Sequence, residues 1–178
     1  HNSMALPIIA FVIAYKLPKP KLLIWIWLLA IPVSMFAGSF FQQYLMGFAD
    51  ERRTVYFDAD AMSRARFRWD FLAYSAAPVL LGYYYIFKLN FKSQFYQWVY
   101  CAYLISNAVW ILVIKAEYTD RFAYLSWFMF PILLLYPVLT KQLFYDVRVQ
   151  RNHIAMTLFC QYAFCYYMYL AYRGFQPF

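Results

Sequence analysis

Charge is what this sequence has least of. Asp, Glu, Lys and Arg make up 13% of its 178 residues, against 65% hydrophobic. Soluble globular domains carry about a quarter charged residues, so the composition excludes an ordinary water-soluble fold. Thiol and metal chemistry are as poorly provided for. The three cysteines, Cys101, Cys160 and Cys165, lie in apolar runs with no CxxC pattern and no histidine at ligand spacing. That excludes a disulfide framework and a cysteine-based metal site, and leaves them as packing thiols. There is no nucleic-acid motif, no internal repeat and no low-complexity segment. The first apolar run also lacks the basic flank and small-residue cleavage site of a signal peptide.

Aromatics are abundant instead: nineteen Tyr, nineteen Phe and six Trp. That exceeds one interfacial belt, so many must pack between helices or line a cavity. The sequence therefore predicts an integral membrane protein whose first partner is the lipid bilayer. Its net charge of +8 faces phosphates or lipid headgroups rather than nucleic acid.

The expected fold is all-α, a polytopic transmembrane helical bundle of five to six spans in a single membrane domain. Residues 4–15 form a partial span, because a full crossing needs about 17–25 residues; either a helix beginning upstream or a truncated segment is expected. Three lysines and two prolines at 16–21 break the chain. A full-length span follows at 22–41, kinked near Pro32 and Gly38. Residues 42–70 are a long polar loop, expected on the outer face with a short interfacial helix. Spans at 71–87, 98–114 and 122–140 are joined by short connections that make them antiparallel neighbours. After a polar turn at 141–153, residues 154–172 form the weakest span, interrupted by Gln161 and several tyrosines.

Lys and Arg divide evenly, eight to each side of this arrangement, so their count alone sets no orientation. Their kinds differ. Six of the seven lysines fall on the side of residues 16, 88 and 141, whereas the other side carries mostly arginines interleaved with Asp58, Asp60, Asp70, Glu117 and Asp120. Loose lysines read as topology signals and arginines among acids as a structured site. The lysine side is placed in the cytoplasm, and the arginine loop faces out.

Arg64, Arg66 and Arg68 stand within five residues just before a span. The guanidinium fork matches phosphate oxygens two at a time and stays charged, so the cluster suits a pyrophosphate ester. On a helix Arg64 and Arg68 share one face while Arg66 joins Asp70; on an extended strand all four project together. The neighbouring span favours the helix. The plain alternative is local pairing, Asp60 with Arg64 and Arg66 with Asp70, that merely anchors the helix. Arg121, beside Asp120 and at a helix start, is a fourth phosphate-binding candidate or a residue snorkelling to the interface. Asp58-Ala59-Asp60 is a D-x-D pair, a weak candidate for a divalent metal; otherwise no cofactor is expected. His153, beside Arg151, reads as interfacial.

Two stretches, RARFRWDF at 64–71 and DRFAYLSWFMFPILLLYP at 120–137, resemble the EpsG family of exopolysaccharide polymerases, related in role to Wzy-type O-antigen polymerases. The order of spans between them also matches, over roughly residues 50–140. His1-Asn2-Ser3 is similar to an H-x-S stretch that precedes a span near the middle of such proteins. Family members are longer, so the resemblance is to their second half. It implies a bacterial inner-membrane enzyme, active on the outer face, that joins undecaprenyl-pyrophosphate-linked oligosaccharides alongside other polysaccharide export proteins. Arg64, Arg66, Arg68 and Arg121 would bind the pyrophosphate, and Asp70, Asp120 or His1 would be the base. A ligase of the same architecture, a transporter of the same headgroup and a non-catalytic scaffold are the alternatives.

Overall fold

The computed structural model describes residues 5–46, 67–115 and 119–174, and at positions 39, 42–46, 119–121 and 171–174 the backbone alone. Regular structure among the described residues is entirely helical. In chain order it comprises α1 (Ala5–Lys16), α2 (Pro20–Met46), α3 (Trp69–Tyr83) prolonged by a π-helical turn (Tyr84–Lys88), α4 (Gln94–Leu112), α5 (Thr119–Trp127), α6 (Phe130–Thr140) and α7 (Val147–Gly174).

The boundaries follow local chemistry. Pro20 opens α2 at the first helical position, where its missing N–H costs nothing, and the Lys19 carbonyl accepts from the Leu23 N–H at 3.1 Å. Ser93 caps α4 by accepting from the Tyr96 N–H at 3.3 Å, and the Asp146 carboxylate does the same for α7 through the Arg148 N–H at 2.7 Å. The π turn runs out into Asn90, which holds φ at 50°, a left-handed conformation that Asn tolerates. At Gly82 a side chain would overlap the Tyr100 ring, so glycine lets α3 lie close on α4.

Three expectations need adjusting. The stretch 122–140 is broken at Phe128–Met129 into α5 and α6. Pro131, in the first turn of α6, has no N–H to offer the Trp127 carbonyl one turn back, and this ends α5. The polar turn after α6 is shorter than expected, because α7 begins at Val147. The backbone of α2 continues helical to Met46, into the stretch read as loop.

The bundle is organised around α4, which carries buried residues on all sides, among them Tyr96, Tyr100, Tyr103, Asn107 and Trp110. A helix apolar all round belongs in a core. Contacts fix the directions of its neighbours. Tyr15, at the end of α1, meets Trp98 near the start of α4. Trp27 bonds Asn107 and Gly38 approaches Leu112, so α2 runs with α4. The Tyr103 hydroxyl donates to the Ser75 carbonyl and the Tyr100 hydroxyl to that of Val79, so α3 runs against it. The same holds for α5 and α6, through Ser126 on Asn107 and Leu133 on Tyr96. Finally, α7 runs against α3, with His153 at Tyr85 and Gln161 at Tyr74. Successive passes therefore alternate in direction.

This sorts the connections to two ends. Residues 16–21, 88–93 and 141–147 lie at one; the start of α3 and the start of α5 lie at the other. Two segments, Pro20–Gly38 and Phe122–Thr140, are long and apolar enough to cross a membrane. The finer expectation of five to six crossings is not fixed by length and composition in the remaining helices.

Candidate functional site

The site begins where α3 does. Arg68 precedes the helix with φ −83° and ψ 76°, and a tight turn closes around it through the Trp69 N–H and the Phe67 carbonyl at 3.0 Å. The helical geometry of α3 thus starts at Trp69, with Arg68 outside it. Because Arg68 stands outside the helix and Asp70 inside its first turn, their side chains meet across only two residues. Nε donates to one carboxylate oxygen at 2.9 Å and an Nη to the other at 2.7 Å, the bidentate geometry in which guanidinium and carboxylate bind best. The same guanidinium lies over the Phe71 ring, 3.7 Å from its centroid.

Phe71 is buried and packs edge-on against Trp127 of α5, with ring centroids 5.2 Å apart. Arg68 therefore rests on a ring fixed in the core. On its outer side Phe67 and Trp69 sit with centroids 4.4 Å apart, and Trp69 is 57% exposed. The side chains of Arg68 and Asp70 are 39% and 29% exposed, so the pair is partly accessible to solvent. Partial burial pushes the Asp70 carboxyl up. The Arg68 hydrogen bonds and charge, with the N–H groups of Phe71 and Asp70 itself, outweigh this and hold it below the usual carboxylate value. It is an ionised orienting partner and a weak base.

The remaining sequence candidates are placed as follows. Asp120 and Arg121 lie in the first turn of α5. Since α3 and α5 run in the same direction and touch through Phe71, Tyr74 and Trp127, both helices start at the same end of the bundle. The backbone thus brings 68–70 and 119–121 to one level, with the side chains at 120 and 121 outside the description. His1, Asp58, Asp60, Arg64 and Arg66 lie outside the described residues, as do positions 47–66 of the loop expected to carry an interfacial helix. Among the described residues Arg68 grips Asp70; the pairing of Arg66 with Asp70 considered from the sequence lies outside them. Among the described residues no group of three or more His, Cys, Asp or Glu is placed to hold a metal.

A buried polar node went unread in the sequence. Asn107 accepts from the Trp27 indole at 2.7 Å and donates to the hydroxyls of Ser126 at 3.0 Å and Ser75 at 3.3 Å. Ser75 also accepts from the Trp127 indole at 2.8 Å. Asn107, Ser75 and Ser126 are fully buried. The node ties α2, α3, α4 and α5 together within two turns of Arg68, and Trp127 links it to Phe71. Its signal was the Ser106-Asn107 pair in the otherwise apolar run 98–114.

No protein-family model matches the chain, and no curated protein or solved structure matches it.

Proposed function

We propose that this chain is a membrane polysaccharide polymerase, or the part of one that holds its donor, and that it joins undecaprenyl-pyrophosphate-linked oligosaccharides at the outer face of a bacterial inner membrane. One observation carries the reading: a partly exposed guanidinium, oriented by a carboxylate and backed by a buried ring, stands at the end of an apolar bundle beside an exposed Trp. Arginine at the rim of a membrane domain is suited to a diphosphate whose lipid tail lies in the bilayer.

In this mechanism an acceptor hydroxyl attacks the anomeric carbon of the donor sugar, the bond to the pyrophosphate oxygen breaks, and the pyrophosphate leaves. Arg68, with Arg64, Arg66 and Arg121, stabilises the charge that develops on the leaving group. Asp70 positions Arg68. The hydroxyl proton goes to Asp120 or His1, since a carboxylate already held by a guanidinium is a poor acceptor.

The test is polymer length in polymerase-deficient cells complemented with the gene carrying Arg68→Ala or Arg68→Lys, at matched membrane abundance. Arg68→Ala is expected to reduce long chains about a hundredfold, with partial rescue by Lys. Unaltered polymer with Arg68→Ala removes Arg68 from the site and returns it to helix anchoring.

A further inference from the structure

The end of the bundle opposite Arg68 is built differently. The connections there carry Lys16, Lys19, Lys21, Lys88, Lys92, Lys141, Arg148 and Arg151 against one acid, Asp146. That acid is occupied in capping α7. The six lysines are exposed, and among the described residues none forms an ion pair with a carboxylate. Four of them gather around one feature, the π turn and the loop behind it. Lys21 Nζ lies 5.4 Å from the centroid of the Phe87 ring and Lys141 Nζ 6.0 Å from that of Phe91. Lys88 and Lys92 follow those two rings directly in the chain. Asn90, in its left-handed conformation, lies between the two Phe-Lys pairs in the chain.

Their depth is set as well. The apolar segment Pro20–Gly38 begins beside Lys21, and Phe122–Thr140 ends beside Lys141. With the membrane residence proposed above, this places the four lysines where hydrocarbon gives way to headgroups. A cluster of unpaired lysines at that level attracts anionic headgroups, and lysine, a compact point charge, needs no bidentate geometry to do so.

We infer that Lys21, Lys88, Lys92 and Lys141 form a binding surface for anionic phospholipid headgroups, on the face opposite the arginine site. The inference rests on the membrane residence proposed above and is independent of the polymerase chemistry.

The experiment reconstitutes the full chain in vesicles of equimolar phosphatidylglycerol and phosphatidylcholine, solubilises it mildly, and counts retained lipid by native mass spectrometry. The wild type is expected to keep phosphatidylglycerol over phosphatidylcholine by about tenfold, less at high salt. The variant K21Q/K88Q/K92Q/K141Q loses the preference, the corresponding quadruple Arg variant keeps it, and Lys115→Gln at the other end leaves it unchanged. Equal retention of the two lipids by the wild type, or an undiminished preference in the quadruple Gln variant, overturns the inference. Failure of the wild type to float with either lipid overturns membrane residence instead, so the two failures are told apart.

Discussion

At the scale of single residues, the decisive fact is that Asp70 and Arg68 satisfy each other while remaining partly open to solvent. The sequence offered Asp70 two roles, base or partner, and geometry favours the second. If Asp70 only orients the fork, Asp70→Asn weakens polymer formation less than Arg68→Ala, and the double variant is no worse than Arg68→Ala alone. Polymer length in complemented cells measures this; additive losses would make Asp70 an independent participant. The pair also predicts an acid dependence. The folded carboxyl lies below its ordinary 3.8, so its stabilising contribution is present above that value and is lost as pH falls through the lowered one. Melting temperatures of wild type and Asp70→Asn in detergent should differ by a constant amount at neutral pH and converge in strong acid. A difference that instead disappears near neutrality would mean that another group supplies it.

At the scale of elements, prolines decide where the helices need outside help. Pro137, inside α6, leaves the Leu133 carbonyl without its usual N–H. The Tyr96 hydroxyl of α4 fills the gap at 2.7 Å. Tyr96→Phe should cost about 0.5–1.5 kcal/mol and keep the ring stacking with Tyr136. In a Pro137→Ala background, where the helix supplies its own donor, the same change should cost almost nothing. Thermal unfolding of the four proteins of this cycle gives the coupling; equal costs in both backgrounds would show that the hydroxyl does not compensate for the proline. Such devices explain what was legible. Apolar runs and the Lys-Pro break announced the described helices other than the split of α5 from α6, because burial and Pro chemistry act locally. The split at Phe128–Met129 was missed, although Pro131 stood in view, because hydropathy averages across it. The Asn107 node was invisible because its partners come from positions 27, 75 and 126, and only the packed fold brings them together. The candidate site was half legible: Arg68 and Asp70 were named, but their pairing depends on the helix starting at Trp69, a boundary that composition does not fix.

At the scale of the whole molecule, alternation of the passes turns the sequence into two chemically distinct ends. Basic residues divide evenly between the two sets of connections, yet seven of the eight acids go with the arginines. One set of connections therefore carries mostly lysine with a single acid, and the other mixes arginines with acids. If the lysine end faces the cytoplasm, as short lysine-rich connections favour, Lys92→Cys and Lys141→Cys should react with a membrane-impermeant maleimide only after the membrane is opened. Lys115→Cys should react from outside in intact cells. The labelling belongs in a Cys160→Ala/Cys165→Ala background, since both thiols are exposed on α7 whereas Cys101 is buried. The opposite pattern would put Arg68 in the cytoplasm, where a lipid-linked donor awaiting export is not yet displayed for polymerisation, and would sink the outer-face mechanism while leaving the bundle intact. Labelling of all three sites from one side would be harder on the structure itself, because antiparallel α4 and α5 cannot cross a bilayer and still leave Lys92 and Lys115, at opposite ends of α4, on the same surface.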